Sequence, residues 1–146
     1  MMDGQDNTRL VQKAYERFGA GDLEGFVNSL DPEIEWHVPA MENVPFAGTW
    51  RGREGVREFL RKLTESQEVV EFRPEQFIAQ DSTVIVLGRF VMRVKSTRTE
   101  SASLWAHVWT ITAGRITHYR EYVDTAAVTN AHRASPSLSR QPMLSS

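Results

Sequence analysis

The densest set of side chains able to move protons lies between Trp105 and Asp124, in the stretch WAHVWTITAGRITHYREYVD. His107 and Glu121 sit there among Trp105, Trp109 and Tyr119, and Asp124 follows directly. A carboxylate surrounded by indole rings loses hydration, which suits it to proton transfer. A nearby imidazole can hold a proton, orient the carboxylate or donate to a developing enolate oxygen. The same two residues could also form a buried pair that satisfies itself within a wall. Asp124 is a rival acid, yet its place before Thr-Ala-Ala-Val also suits the cap of a helix. Tyr15 could offer a phenol from far upstream, or pack as a core residue at helical spacing.

Whether His107 and Glu121 meet depends on the hairpin that carries them. Thr112-Ala113-Gly114 separates two runs of alternating character, and glycine as third loop residue points to a type I turn closed by a G1 bulge. If Ile111 closes that loop against Arg115, cross-strand partners have numbers summing to about 226. Residues 105, 107 and 109 then share a face with 119, 121 and 123. A two-residue loop would instead set His107 beside Arg120.

Upstream, Leu10, Val11, Ala14, Tyr15 and Phe18 predict a helix over residues 8–18. Gly19-Ala20-Gly21 ends it, and Asp22 is suited to cap a shorter helix carrying Leu23, Phe26, Val27 and Leu30. Residues 33–38 read as a strand with Ile34, Trp36 and Val38 on one face, and Glu35 and His37 on the other. Residues 39–50 read as an irregular loop whose Met41, Val44, Phe46 and Trp50 either tuck under it or line a pocket mouth. A third helix is predicted over residues 52–66 from Val56, Phe59, Leu60 and Leu63. Its Arg51, Arg53, Arg57, Arg61 and Lys62 interleave with Glu54, Glu58 and Glu65, the pattern of a solvated face. Strands follow at 68–79, where Pro74 marks an edge or bulge, then at 83–95, 99–112 and 115–123. Short turns between them imply antiparallel pairing. A last short helix opens after Asp124, and the Ser/Pro-rich end reads as disordered.

The organisation is one domain over residues 8–132, with a flexible 1–7 before it and a disordered 133–146 tail after it. A net charge of −2 gives no general affinity for nucleic acid or anionic membranes. The absence of cysteine removes disulfides and thiolate chemistry. No apolar run approaches the roughly 20 residues of a bilayer span, and the polar start lacks a signal-peptide core, so a cytoplasmic location is expected. His37, His107, His118 and His132 lack local metal-ligand spacing, and no P-loop or dinucleotide glycine fingerprint is present, so no cofactor or metal is expected.

Helices first and a long meander after them make an α+β chain, with helices covering one face of a curved sheet. In that order the sequence resembles the SnoaL-like proteins of the NTF2-like superfamily, on the motifs YERFGAGDLEGF, IEWHVP, FAGTWRGREGVREFL, WAHVWTITAGRI and YREYVDTAAV. The resemblance implies a cone: a curved antiparallel sheet wrapped around about three helices, with a short C-terminal helix. It also implies that the odd-numbered residues of the last hairpin face a cavity. SnoaL-type polyketide cyclases use an acid in the last strand region assisted by a histidine on the neighbouring strand, and the matching positions here are Glu121 and His107. Glutamate stands where that family has aspartate. The ketosteroid isomerase pattern fits less well, because Val38 occupies the position of its aspartate base, before Pro39. The Asp–Arg–Asp set of limonene-type epoxide hydrolases is not reproduced by Arg89, Arg93, Arg120 and Asp124.

Three readings follow. One is a cofactor-independent cyclase or isomerase acting on an apolar carbonyl or polyketide-like molecule. In it Glu121 is the general base/acid and His107 its partner, with Asp124 and Tyr15 as lesser candidates. Trp36, Val38, Phe46, Trp105, Trp109 and Tyr119 would form its substrate-binding wall. A second is a module that holds a small apolar molecule without turnover. A third is an interaction protein whose cone is filled by its own side chains. The resemblance further implies a homodimer through the outer face of the sheet.

Overall fold

The computed structural model describes residues 4–133. Helix α1 (Gly4–Gly19) starts before the apolar pattern does, because Asn7 is buried beneath it together with Val11 and Ala14. Helix α2 (Leu23–Asn28) is capped as expected, with Asp22 Oδ1 accepting from the Gly25 amide at 3.0 Å. Strand β1 (Leu30–Val38) buries Ile34, Trp36 and Val38 on a single face. The loop after it buries Val44 and Phe46, then pairs its end with β1 as strand β2 (Gly48–Arg51). Four residues are too few for a readable alternation, which is why the sequence reads as loop there.

Helix α3 (Gly52–Ser66) buries Val56, Phe59 and Leu60. Its basic cluster is neutralised locally: Arg57 pairs with Glu24 and Glu54, and Arg61 with Glu58 and Glu65. Arg53 instead donates to the Asn28 and Leu30 carbonyls, which ties α3 to the start of β1. Strands β3 (Gln67–Gln80), β4 (Thr83–Val94), β5 (Glu100–Thr112) and β6 (Arg115–Val123) form an antiparallel meander, and helix α4 (Thr125–Arg133) closes the described chain. The sheet order is β2-β1-β6-β5-β4-β3. β1 lies parallel to β6, so the sheet is mixed: the meander ends with β6 beside β1, running in the same direction. The fold is thus α+β, a six-stranded curved sheet whose inner face is covered by helices. The expected disordered tail lies outside the described residues, apart from Arg133, which ends α4.

Pro74 stands on β3, an edge strand, and beside a register shift, as a residue without an N–H requires. Opposite it on β4, Gly88 is fixed by crowding. A Cβ there would lie 2.3 Å from the Arg73 carbonyl oxygen and 2.4 Å from the Trp105 ring. The missing side chain is what lets the Trp105 indole lie over β4.

The last hairpin departs from the expected loop. Its turn is Ala113-Gly114 alone, both at positive φ (51° and 77°), closed by Thr112 against Arg115. That is the two-residue turn whose twist suits a hairpin, and by itself it would set His107 beside Arg120. A bulge between Thr110 and Ile111 in the pairing adds one residue on β6, Thr117, and shifts the register again. Thr117 is held there by a hydrogen bond to the Thr110 carbonyl at 3.3 Å. The body of the hairpin therefore pairs Trp105 with Val123, His107 with Glu121 and Trp109 with Tyr119. The expected face is right, while the expected loop and the sum of about 226 are not: the pairs sum to 227 beside the turn and to 228 from Thr110–His118 onward.

Candidate functional site

β5 and β6 present Trp109, His107, Tyr119 and Glu121 inward, and α1 lays Tyr15 across them. Tyr15 and His107 are 92 residues apart, and their polar atoms meet at 2.7 Å, Oη to Nδ1. The Trp109 indole N–H donates to the same Tyr15 oxygen at 3.0 Å. His107 Nε2 faces Glu121 Oε2 at 3.5 Å. The rings pack tightly around this line: His107 stacks on Trp105 at 3.9 Å between centroids, and Trp36 on Tyr119 at 3.7 Å.

Satisfying these groups fixes the direction of the chain. An indole nitrogen only donates, so the Tyr15 oxygen accepts from Trp109 and still has its own proton to place. Burial pushes the Tyr15 hydroxyl pKa up, partly opposed by the Trp109 hydrogen bond, and the charge of Glu121 pushes it up further. Tyr15 therefore stays protonated and donates to His107 Nδ1. Burial pulls the His107 pKa below its ordinary value, against the opposing attraction of Glu121, so the ring is neutral. A neutral ring that accepts at Nδ1 carries its proton on Nε2. That N–H points toward Glu121, but 3.5 Å is beyond a well-formed hydrogen bond. Nε2 makes none among the described residues, and neither does the buried indole nitrogen of Trp36. Burial likewise pushes the Tyr119 pKa up, with Glu121 and then Tyr15 adding to it.

Between the rings lies a void of about 80 Å³, whose lining includes Tyr15, Trp36, His107, Trp109, Tyr119 and Glu121. Of the expected wall, Trp36, Trp109 and Tyr119 reach this void, whereas Phe46 lines a smaller compartment and Val38 and Trp105 line neither. Trp105 backs His107 instead. Asp124 is exposed, and its Oδ1 accepts from the Ala127 amide at 3.1 Å, so it caps α4 and stands outside both compartments. The lining also holds Phe18, Phe72, Phe90 and Met92. The alternation of β4 could have pointed to Phe90 and Met92, but nothing local pairs Phe18 with them. No group of three His, Cys, Asp or Glu able to hold a metal ion occurs among the described residues. No described helix is long and apolar enough to cross a membrane.

The family model of a SnoaL-like domain matches residues 11–119. Among curated proteins nothing matches the chain. An NTF2-like protein from Burkholderia xenovorans LB400 is 33% identical, with a TM-score of 0.83, over 90% of this chain and 99% of that one. TerC, co-crystallised with polyporic acid, is 28% identical with a TM-score of 0.77, over 88% of this chain and 99% of its own. A SnoaL-like polyketide cyclase, as it is named, from Mesorhizobium loti shares the fold at 18% identity and a TM-score of 0.66, over 78% and 96% of the two chains.

Proposed function

The chain belongs to the SnoaL-like domain family of the NTF2-like superfamily, and from that premise we propose that it is a cofactor-independent enzyme of the cyclase or isomerase type, acting in the cytoplasm on a flat, apolar carbonyl compound. One observation carries the reading: inside an aromatic pocket His107 has Nδ1 2.7 Å from Tyr15 Oη and Nε2 3.5 Å from Glu121 Oε2, which suits a neutral ring with its proton on Nε2. In the reaction, Glu121 takes a proton from the carbon next to the substrate carbonyl. The C–H electron pair becomes the enolate double bond, and the charge gathers on oxygen. His107 Nε2–H, with the unpartnered Trp36 N–H as a second donor, binds that oxygen. The proton on Glu121 then returns to the γ-carbon when the enolate is conjugated with a second double bond, or the enolate carbon attacks a second carbonyl, closing a ring and leaving an alkoxide that takes the proton from Glu121.

The aromatic lining suits a planar ligand, and the co-crystallisation of TerC with polyporic acid agrees with that character. The void of about 80 Å³ is below the roughly 150 Å³ that takes up benzene, so a ring entering it displaces a half-buried neighbour such as Phe18 or Leu63. The same apolar lining would also suit a small molecule held without turnover, the binding-module reading.

Deuterium exchange separates the two. With 2-tetralone as probe, the wild type accelerates exchange of its α C–H over free solution. Glu121→Gln binds the ketone and loses exchange by about 10²-fold or more. Binding without any acceleration in the wild type leaves the module reading, and equal exchange in both proteins removes Glu121 from the mechanism.

A second copy of the chain completes the reading. Leu87, Ala106 and Tyr122 stand in one row across the outer face of β4, β5 and β6, next to Leu104, which is 73% exposed. Such a row covered by its symmetry mate makes a dimer. Light scattering then gives the dimer mass for the wild type and the monomer mass for Leu104→Glu; a monomeric wild type sinks the assembly.

A further inference from the structure

A second compartment, of about 20 Å³, adjoins the aromatic pocket and shares Phe90 and Glu121 with it. Its remaining lining includes Phe46, Val128, Gln67 and Ser101. The two polar residues stand on the strands that flank β4. Gln67 of β3 pairs with Val94, and Ser101 of β5 pairs with Met92. Both are buried, at 8% and 5% exposure, and neither Gln67 Oε1 nor Ser101 Oγ makes a hydrogen bond among the described residues.

A buried polar atom left unmatched costs ~1–3 kcal/mol, and native interiors hold few of them. Two residues with such atoms line one small compartment, which suits it to a polar occupant. A single water needs ~10–15 Å³ and two to four polar partners. The compartment supplies the space, and Ser101, Gln67 and the Glu121 carboxylate supply the partners.

We propose that this compartment binds one hydroxyl oxygen between Ser101 Oγ and Gln67 Oε1, beside Glu121 and outside the ring of aromatic side chains. The occupant carries an O–H because Gln67 Oε1 only accepts, so a carbonyl or a halide leaves it unmatched. Ser101 can serve in either direction. Water meets these demands in the free protein, and a phenol or enol hydroxyl meets them in a complex. Resting on the reading of Glu121 as the proton-transfer group, the site narrows the substrate to a hydroxy-carbonyl compound. Its carbonyl oxygen lies at His107 Nε2 and its hydroxyl at Gln67 and Ser101.

High-resolution crystals of the ligand-free protein test the site without reference to turnover. One ordered oxygen is expected within ~2.7–3.2 Å of both Ser101 Oγ and Gln67 Oε1. Soaking the same crystals in phenol distinguishes the sources: the phenol oxygen replaces the water, or the water stays, and the site stands in both cases. Gln67→Leu is expected to empty the position. Ser101→Ala, the smaller change, serves the same purpose if Gln67→Leu does not fold. Density in neither the free nor the soaked wild type, or an oxygen that is not bonded to both side chains, overturns the proposal. The two readings fail separately. A missing oxygen with Glu121-dependent exchange intact removes only the subsite, and an oxygen in place without exchange removes only the catalytic role.

Discussion

Tyr15→Phe isolates one hydroxyl at the centre of the site. The ring of Tyr15 packs against Phe72, Phe77, Trp105, His107 and Trp109, with centroids 5.5–6.1 Å apart, and phenylalanine keeps those contacts. What goes is the oxygen between Trp109 Nε1 and His107 Nδ1. Trp109 and His107 are 1% and 4% exposed, so bulk water does not reach either atom, and a water in the adjoining void recovers only part of the loss. Each stranded group costs ~1–3 kcal/mol, offset in part because the phenol no longer needs burying, for a net loss of about 2–4 kcal/mol. In a domain of this size that lowers Tm by roughly 6–15 °C. Urea unfolding should show the loss as a lower midpoint with an unchanged m-value, since the surface buried is the same. Tyr122→Phe is the control: Tyr122 is 55% exposed, and it should change stability by no more than about 0.5 kcal/mol. Nitrogen-15 NMR of the wild-type imidazole should find the proton of His107 on Nε2. A Tyr15→Phe protein as stable as the wild type, or an Nδ1–H tautomer, would refute the argument for the Trp109–Tyr15–His107 chain.

Three further outcomes follow from the geometry. Gly88→Ala forces a Cβ to 2.4 Å from the Trp105 ring, so it should cost ~1–3 kcal/mol or more and change the near-ultraviolet circular dichroism of the tryptophans. An unchanged spectrum would show that the ring yields without effect on the site. Asp124→Ala removes the α4 cap and should cost ~0.5–2 kcal/mol in chemical unfolding while leaving 2-tetralone exchange intact; lost exchange would restore Asp124 as the acid. The fold holds His107 neutral with a pKa below the ordinary 6.5, so the unfolded chain binds the extra proton first as pH falls. His107 should therefore contribute stability that is full above about 6.5 and is lost as pH drops toward the lowered value, with a slope of at most ~1.4 kcal/mol per pH unit. His107→Gln should flatten that part of the stability profile, and an unaltered slope would place the titration elsewhere.

The sequence by itself determined the longer elements and their faces. Val56, Phe59 and Leu60 bury one side of α3, and Ile34, Trp36 and Val38 one side of β1, because spacing along a helix or strand decides which side chains share a face. It also put His107 and Glu121 on one face of the last hairpin, although from a loop type that the structure does not have. The tertiary structure decided the rest. The turn is shorter than the loop expected from Gly114, and only the Thr117 bulge returns His107 to Glu121, because a bulge is set by what both strands pack against. Tyr15 reads at helical spacing as one more core residue; α1 must lie on β5 before its hydroxyl can reach His107. Gln67 and Ser101 look like ordinary polar residues in their own strands, and become a pair only when β3 and β5 flank β4. Local periodicity encodes which way a side chain faces, and the packing of distant elements chooses what it meets.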